Sequence, residues 1–290
     1  MTALSRISVP MRAGRNPFPI VSDGASLAGM LHLPTGTPRA VVVLHGAVGV
    51  PQRHYRHFAA WLAAEKDMAC LTYDYRDFGA SATKHVKQSR ATLTDWGYHD
   101  QEAVLDAVEA RFPDTPLWVL GHSLGGSMLP FHKPRRIERA IVLAAGLVRM
   151  RDHPWPYQAL VRQFWFLSGP AATQVCGYMP GRRIGFGSDL PAGVFWQWRR
   201  WCTNSDFYLK DAGERLPRLD RNAVTAPTRL IAIADDMMVP PPAVWRLMEL
   251  MPEAVKRQRV LRPADFGLTK IGHLGAFARE NAALWPAIVD

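Results

Sequence analysis

Short apolar runs alternate with longer amphipathic stretches along most of this chain. Residues 15–36 predict a strand, a turn at Ser22-Asp23-Gly24 and a second strand. Residues 40–44 form an unbroken apolar run rich in β-branched residues, which predicts a strand buried on both faces of a sheet. Further strands are predicted over 68–73, 116–120, 140–145, 228–234 and 257–261. Apolar residues three and four positions apart predict helices over 54–66, 95–111 and 243–251, and a last helix from about residue 276. The alternation predicts an α/β fold: a mostly parallel sheet of about eight strands with helices on both faces.

One segment departs from this alternation. Residues 151–210 hold 13 of the 29 aromatic residues and five of the ten tryptophans, with frequent interruption by proline and glycine. We therefore expect an α/β core formed by residues 1–150 and 211–290, with residues 151–210 inserted as an aromatic-rich helical cap. The aromatic side chains either line an apolar ligand pocket or form the core of a small subdomain, and both can hold together.

Composition excludes several classes of protein. The chain has 290 residues, of which 48% are hydrophobic and 21% charged, a balance typical of globular domains and not of disordered chains. Three cysteines are too few for a disulfide framework and favour reduced thiols in a cytosolic compartment. The net charge of +10 comes mainly from scattered arginines, without a basic run, so we expect no nucleic-acid partner.

The amino terminus lacks the apolar stretch of a signal peptide, and no stretch has the roughly 20 apolar residues that span a bilayer. We therefore expect a cytoplasmic protein with no membrane span. The oligomeric state is left open.

A nucleophile candidate lies directly after the strand predicted at 116–120. Gly121-His122-Ser123-Leu124-Gly125 matches G-x-S-x-G, and a short helical stretch follows it, which is the context of a nucleophile elbow. Glycines two positions before and after the serine let the backbone pass closely. The Ser123 hydroxyl would then stand at the carboxyl end of the sheet, where α/β proteins bind ligands.

A serine nucleophile needs a base and a group that orients the base. His273 lies between two glycines in the loop before the last helix, a poor place for core packing. Asp235 and Asp236 follow a predicted strand, and only one of the two adjacent carboxylates can orient the histidine. We favour Asp236, and the other aspartate could hold the loop through nearby amides. The chain order Ser, Asp, His is the order in α/β-hydrolases.

Two backbone amides are candidates for an oxyanion hole. The amide of Ala47, after His45-Gly46, and the amide of Leu124, after the nucleophile, could together hold a tetrahedral oxygen. The alternative for residues 45–47 is a simple turn at the end of a strand. We interpret His45 as a structural hydrogen-bonding residue.

Taken together, these motifs resemble the α/β-hydrolase superfamily over nearly the whole chain. The resemblance rests on HGAVGV (45–50), DYRDFGAS (74–81), GHSLGG (121–126), DDMMVP (235–240) and GH (272–273). A narrower likeness, to an uncharacterised bacterial branch of predicted α/β hydrolases, rests on GVPQRHYRHFA (49–59), GYMPGRRIGFGSDLP (177–191), WQWRRWC (196–202) and IGHLGAF (271–277). The resemblance implies the fold and the triad Ser123, Asp236, His273, but no particular substrate.

The chain departs from the superfamily pattern at two places. Asp77 stands where glycine is usual, and aspartate tolerates left-handed backbone fairly well. Pro130 should cut short the helix after the nucleophile, because proline cannot continue an interior helical ladder.

These residues predict a serine hydrolase that cleaves a carboxylic ester or thioester through an acyl-enzyme intermediate. An acyltransferase with the same triad and a non-catalytic ligand-binding protein on this scaffold are the alternatives. We expect a small-molecule substrate with an apolar acyl or aryl group; Arg199 or Arg200 could meet a substrate carboxylate, although solvated arginines are the default. No metal-ligand or nucleotide-binding motif is present, so we expect neither metal nor cofactor.

Overall fold

The computed structural model describes residues 12–185 and 187–290. The expectation about a signal peptide concerns the amino-terminal segment, whose first 11 residues lie outside the described residues. Within the described ranges, no helix is both long and apolar enough to cross a membrane.

Eight strands form one sheet in the order β1-β2-β4-β3-β5-β6-β7-β8. The first two strands form a hairpin, β2 pairs with β4 in antiparallel fashion, and every other pairing is parallel. This confirms the predicted fold class. The strands are β1 Gly14–Ser22, β2 Ala25–Leu33, β3 Ala40–His45, β4 Met68–Tyr73, β5 Leu117–His122, β6 Arg139–Leu143, β7 Thr228–Ile233 and β8 Lys256–Leu261.

The helices pack on both faces of this sheet. They are α1 Arg56–Glu65, α2 Gln101–Arg111, α3 Leu124–Ser127, α4 Tyr157–Gln163, α5 Gly169–Cys176, α6 Ala192–Cys202, α7 Pro241–Leu247, α8 Gly272–Gly275 and α9 Trp285–Val289. Alternate residues of β3 show the two layers. Val41 and Val43 belong to the core under α2 and α7, whereas Val42 and Leu44 belong to the core under α1 and α9.

The connection between β6 and β7 carries α4, α5 and α6, and in its described part no strand of the sheet occurs. Trp165, Phe195 and Trp201 are buried there, while Trp155 and Phe166 are largely exposed. The division of the chain at residues 151 and 210 stays a prediction.

Three helices start differently from the sequence pattern. Residues 52–55 form a 3₁₀ turn before α1, and residues 95–100 form a wide π-helical turn before α2. The last helix, predicted from about residue 276, begins at Trp285 after a 3₁₀ stretch over 279–284. At the turn before α2, Trp96 Nε1 donates to the carbonyl of Arg76 at 3.0 Å, and the buried Asp100 carboxylate accepts from Arg76 Nε at 2.7 Å. These hydrogen bonds to a residue about 20 positions earlier favour the wide turn, and the local hydrophobic period does not predict them.

The two departures from the superfamily pattern are both visible. Asp77 has φ of 57°, in the left-handed region that aspartate tolerates. The helix after Ser123 has only four residues, and Pro130 lies in the 3₁₀ turn Leu129–Phe131 that follows.

Candidate active site

Ser123 lies in a sharp turn between β5 and α3. Its φ is 55° and its ψ is −118°, a conformation that L-residues rarely adopt and that is enriched at functional sites. The close approaches around it require glycine: a Cβ on Gly121 would lie 2.4 Å from the backbone of Gly126, and one on Gly125 would lie 2.2 Å from the His45 carbonyl oxygen. The serine side chain thus stands at the carboxyl end of the central strands.

Three of the residues singled out from the sequence lie in hydrogen-bonding contact. His273 Nε2 is 3.0 Å from Ser123 Oγ, and His273 Nδ1 is 2.7 Å from Asp236 Oδ2. The imidazole is 7% exposed and the carboxylate is fully buried. The serine hydroxyl can therefore donate to the imidazole, whose other nitrogen faces a carboxylate.

The Asp236 carboxylate is held from both sides. Its Oδ1 accepts the N–H groups of Met238 at 2.8 Å and Val239 at 3.0 Å, which leaves Oδ2 for His273. Burial by itself raises the pKa of this carboxyl, but the charge and hydrogen bond of His273 and the two amides outweigh burial and lower the pKa. The group is therefore ionised at neutral pH.

Asp235, the alternative acid, points elsewhere. Its two oxygens accept the N–H groups of Ile271 at 2.9 Å and Gly272 at 3.0 Å. It therefore fixes the start of the loop that carries His273 without touching the imidazole.

The two amides considered for an oxyanion hole differ in their surroundings. Leu124 is the first residue of α3, so its N–H has no acceptor within the helix, and Leu124 lines the cavity next to Ser123. The N–H of Ala47 instead donates to the Tyr55 hydroxyl at 2.9 Å. Val48, the next residue, lines the cavity.

A chain of buried hydrogen bonds that no sequence motif indicates connects these parts. The Tyr55 hydroxyl donates to Nδ1 of His122 at 2.9 Å, and Nε2–H of His122 donates to the His273 carbonyl at 3.0 Å. Burial, and then the positive charges possible at His273 and His54, lower the pKa of His122 well below its ordinary value. A neutral His122 has one donor and one acceptor, as this chain requires.

The peptide between Gly46 and Ala47 is held at its other end too. The Tyr75 hydroxyl donates to the Gly46 carbonyl at 2.8 Å, opposite the Ala47 N–H bond to Tyr55. No sequence motif indicates these tyrosines, since the bonds from Tyr55 to His122 and from Tyr75 to Gly46 join residues 67 and 29 positions apart.

An apolar cavity of about 240 Å³ opens beside Ser123. Ten of its eighteen lining residues come from the segment 151–210: His153, Tyr157, Leu160, Val161, Phe164, Trp165, Trp198, Trp201, Cys202 and Phe207. Among the described residues that line it, none is Lys, Arg, Asp or Glu. Burial raises the pKa of the Cys202 thiol and, together with the Asp236 charge, that of the Tyr157 hydroxyl, so both are neutral.

The arginines considered for a substrate carboxylate lie outside this cavity. Arg199 donates from Nε to the Trp165 carbonyl at 2.6 Å and covers the Phe166 ring, while Arg200 forms an ion pair with the buried Asp211. In residues 12–185 and 187–290, no three His, Cys, Asp or Glu side chains group as metal ligands.

Sequence comparison finds partial relatives. The profile of the family described as serine aminopeptidase, S33, matches residues 36–174. A monoglyceride lipase from Mus musculus is 26% identical over 129 residues, 42% of this chain and 41% of that protein. A lysophosphatidylserine lipase from Gallus gallus is 25% identical over 144 residues, 46% of this chain and 36% of that protein. The chain thus spans about two fifths of the length of these curated relatives.

Structural similarity extends further along the chain. A soluble variant of monoglyceride lipase from Saccharomyces cerevisiae aligns with a TM-score of 0.64 at 14% identity, covering 95% of both chains. An esterase from Pyrococcus furiosus aligns with a TM-score of 0.61 at 13% identity, covering 95% of this chain and 88% of the other. At such identities the similarity concerns the fold.

Proposed function

We propose that the chain belongs to the α/β-hydrolase superfamily, whose fold and motifs it resembles, and that it is a serine hydrolase that cleaves a carboxylic ester. One observation carries the proposal: Ser123, His273 and Asp236 form a continuous hydrogen-bonded series beside an open apolar cavity. A serine hydroxyl is a weak nucleophile until a base takes its proton, and this series supplies the base and the group that orients it.

The proposed reaction has two halves. Ser123 Oγ attacks the ester carbonyl carbon as its proton moves to Nε2 of His273, and the ionised Asp236 stabilises the resulting imidazolium. The tetrahedral intermediate expels the alcohol, which receives that proton, and leaves an acyl group on Ser123. Water then attacks the acyl carbon with His273 again as base, which releases the acid and restores the serine.

The developing oxyanion needs donors on the cavity side. The Leu124 N–H, at the start of α3, fits this role. The Ala47 N–H, our second candidate, can contribute only by sharing its hydrogen between Tyr55 and the oxyanion or by leaving Tyr55. In this proposal Tyr55 competes for an oxyanion donor.

A covalent probe tests the assignment of the nucleophile. A fluorophosphonate should label the wild-type protein on the peptide that contains Ser123, and Ser123→Ala should remove the label. Ser127→Ala is the matched control, because Ser127 lines the same cavity four residues later. Labelling that survives Ser123→Ala, or that disappears in Ser127→Ala alone, would contradict the proposal.

The cavity lining supports a substrate with an uncharged, apolar acyl or aryl group. Relatives described as monoglyceride and lysophosphatidylserine lipases act on lipid esters by name, which agrees with this class. The volume of about 240 Å³ is below the range of about 300–1,000 Å³ for pockets of drug-sized ligands, so we favour short to medium acyl groups.

We further propose that residues 151–210 act as a cap over a core of residues 1–150 and 211–290.

A series of para-nitrophenyl esters of increasing acyl length should show how long an acyl group the cavity accommodates. We expect kcat/KM to rise up to about fourfold per added methylene until the cavity is full, since burying one methylene gains about 0.8 kcal/mol. Val161→Phe, which adds bulk to the cavity wall, should shift the optimum to shorter acyl groups. Val175→Phe, on the exposed surface of α5, should leave the optimum unchanged. Equal length profiles for all three proteins would argue against this cavity as the acyl site.

A further inference from the structure

A second cavity, of about 450 Å³, lies on the surface of the segment between β6 and β7. Its lining contains three arginines, one methionine and three small polar residues: Arg149, Met150, Arg151, Arg162, Thr203, Asn204 and Ser205. Among the residues that the structure describes, no carboxylate lines it. We call it the arginine pocket.

The three arginines of the pocket differ in their partners from four half-buried arginines elsewhere in the protein. Arg76, Arg135, Arg200 and Arg246 each form an ion pair with aspartate or glutamate. In the described part of the chain, none of the three arginines of the pocket forms such a pair. Three formal positive charges therefore share one concave surface without an acidic neighbour in the lining.

The two acidic residues next to the pocket residues in the chain, Asp152 and Asp206, are already engaged. Asp152 forms an ion pair with Arg246, and its carboxylate also accepts the backbone N–H of Arg149 at 2.6 Å. Asp206 lies 4.0 Å from Lys210 Nζ and accepts a long bond of 3.5 Å from Ser205 Oγ. Neither carboxylate neutralises the guanidinium groups of the arginine pocket.

The pocket contains directed donors as well as charge. Arg149 Nε donates to the Ser205 carbonyl at 3.2 Å, which fixes this guanidinium and leaves its Nη groups for a ligand. Asn204 Oδ1 accepts the backbone N–H of Asp206 at 3.0 Å, which leaves its amide N–H groups as donors. Planar guanidinium groups bind phosphate oxygens through paired hydrogen bonds, and this set of donors matches that chemistry.

The arginine pocket shares a wall with the apolar cavity beside Ser123. Val148, Val161 and Cys202 line the apolar cavity, and the residues that follow each of them, Arg149, Arg162 and Thr203, line the arginine pocket. Consecutive residues at three places thus face the two cavities. A ligand in the arginine pocket would therefore contact residues that are adjacent in the chain to those lining the proposed acyl site.

We propose that the arginine pocket binds a phosphate group. Two sources share this chemistry, a small phosphorylated molecule in solution and the head group of a phospholipid in a membrane. Exposed apolar side chains next to Arg162 suit the second source, since Leu160, Phe166 and Leu167 are 65%, 57% and 65% exposed. The proposal does not depend on a catalytic role for Ser123.

Binding of inorganic phosphate tests the first source. Calorimetric titration at constant ionic strength should detect phosphate binding to the wild-type protein and equally to Ser123→Ala. The double substitution Arg151→Gln and Arg162→Gln should weaken binding about tenfold or more, because charge-assisted hydrogen bonds are lost. Arg257→Gln with Arg259→Gln, on the exposed strand β8, removes the same charge elsewhere and should leave affinity unchanged.

Sedimentation with phosphatidylcholine vesicles, with and without phosphatidylglycerol, tests the second source. Capture by the anionic vesicles that is lost in the pocket variant but kept in the β8 variant would assign the pocket to a lipid head group. Free-phosphate binding with no capture would assign it to a soluble ligand. Absence of both, or equal losses in the two double variants, would overturn the proposal. Labelling of Ser123 by a fluorophosphonate is independent of each outcome.

Discussion

Replacing Ser123 with alanine is expected to lower kcat for a para-nitrophenyl ester about 10⁶-fold, to the level that binding and the oxyanion donors alone support. The physical reason is the contact of 3.0 Å between Ser123 Oγ and His273 Nε2, since without the hydroxyl the imidazole has no nucleophile to activate. KM should change little, because the cavity wall loses only one oxygen atom. Steady-state kinetics with active-site titration measures the effect.

The same kinetic measurement can show whether Ser123 and His273 act together or contribute to kcat independently. His273→Ala should cost about as much as Ser123→Ala, and the double variant should be no slower than either, because residues of one triad act non-additively. If the loss of kcat in the double variant equalled the product of the two single losses, the two side chains would act separately. A Ser123→Ala protein with turnover within tenfold of wild type would overturn the assignment of the nucleophile.

The sheet could be predicted because burial on both faces leaves a plain signal. The run Ala40–Leu44 is apolar at every position, and β3 indeed carries core residues on each side. The starts of α1 and α2 could not be predicted in the same way. The turn at 95–100 follows from contacts with Arg76, about 20 residues earlier in the chain, and no local period encodes them.

The candidate site divides along similar lines. Glycines around Ser123 mark close backbone approaches, and Gly272 before His273 has φ of 61°, so the motifs themselves point to those two residues. The sequence favours Asp236 over the adjacent Asp235 but contains neither set of contacts: Asp236 contacts His273, and Asp235 accepts the amides of residues 271 and 272. The bond from Ala47 to Tyr55 was missed, because it joins the loop after β3 to a 3₁₀ turn eight residues later, and no helical or strand period relates the two positions.

Replacing Asp236 with asparagine is expected to lower kcat about 10⁴-fold while the fold is retained. The contacts explain why. Oδ1 accepts two backbone N–H groups, so the oxygen of an asparagine would take that position and its amide N–H₂ would face His273 Nδ1. The imidazole would then carry its proton on Nε2 and could no longer accept the proton of Ser123. Kinetics, with circular dichroism as a check of folding, measures this.

Asp235→Asn is the matched control, one residue earlier with the same change of charge. Its two oxygens accept the amides of Ile271 and Gly272, so asparagine loses one of two hydrogen bonds that hold the loop. We expect a loss of about tenfold in kcat, the cost of one such bond, because the His273 tautomer is untouched. A larger loss in Asp235→Asn than in Asp236→Asn would reverse the assignment of the acid, since only the residue that touches the imidazole can select its tautomer.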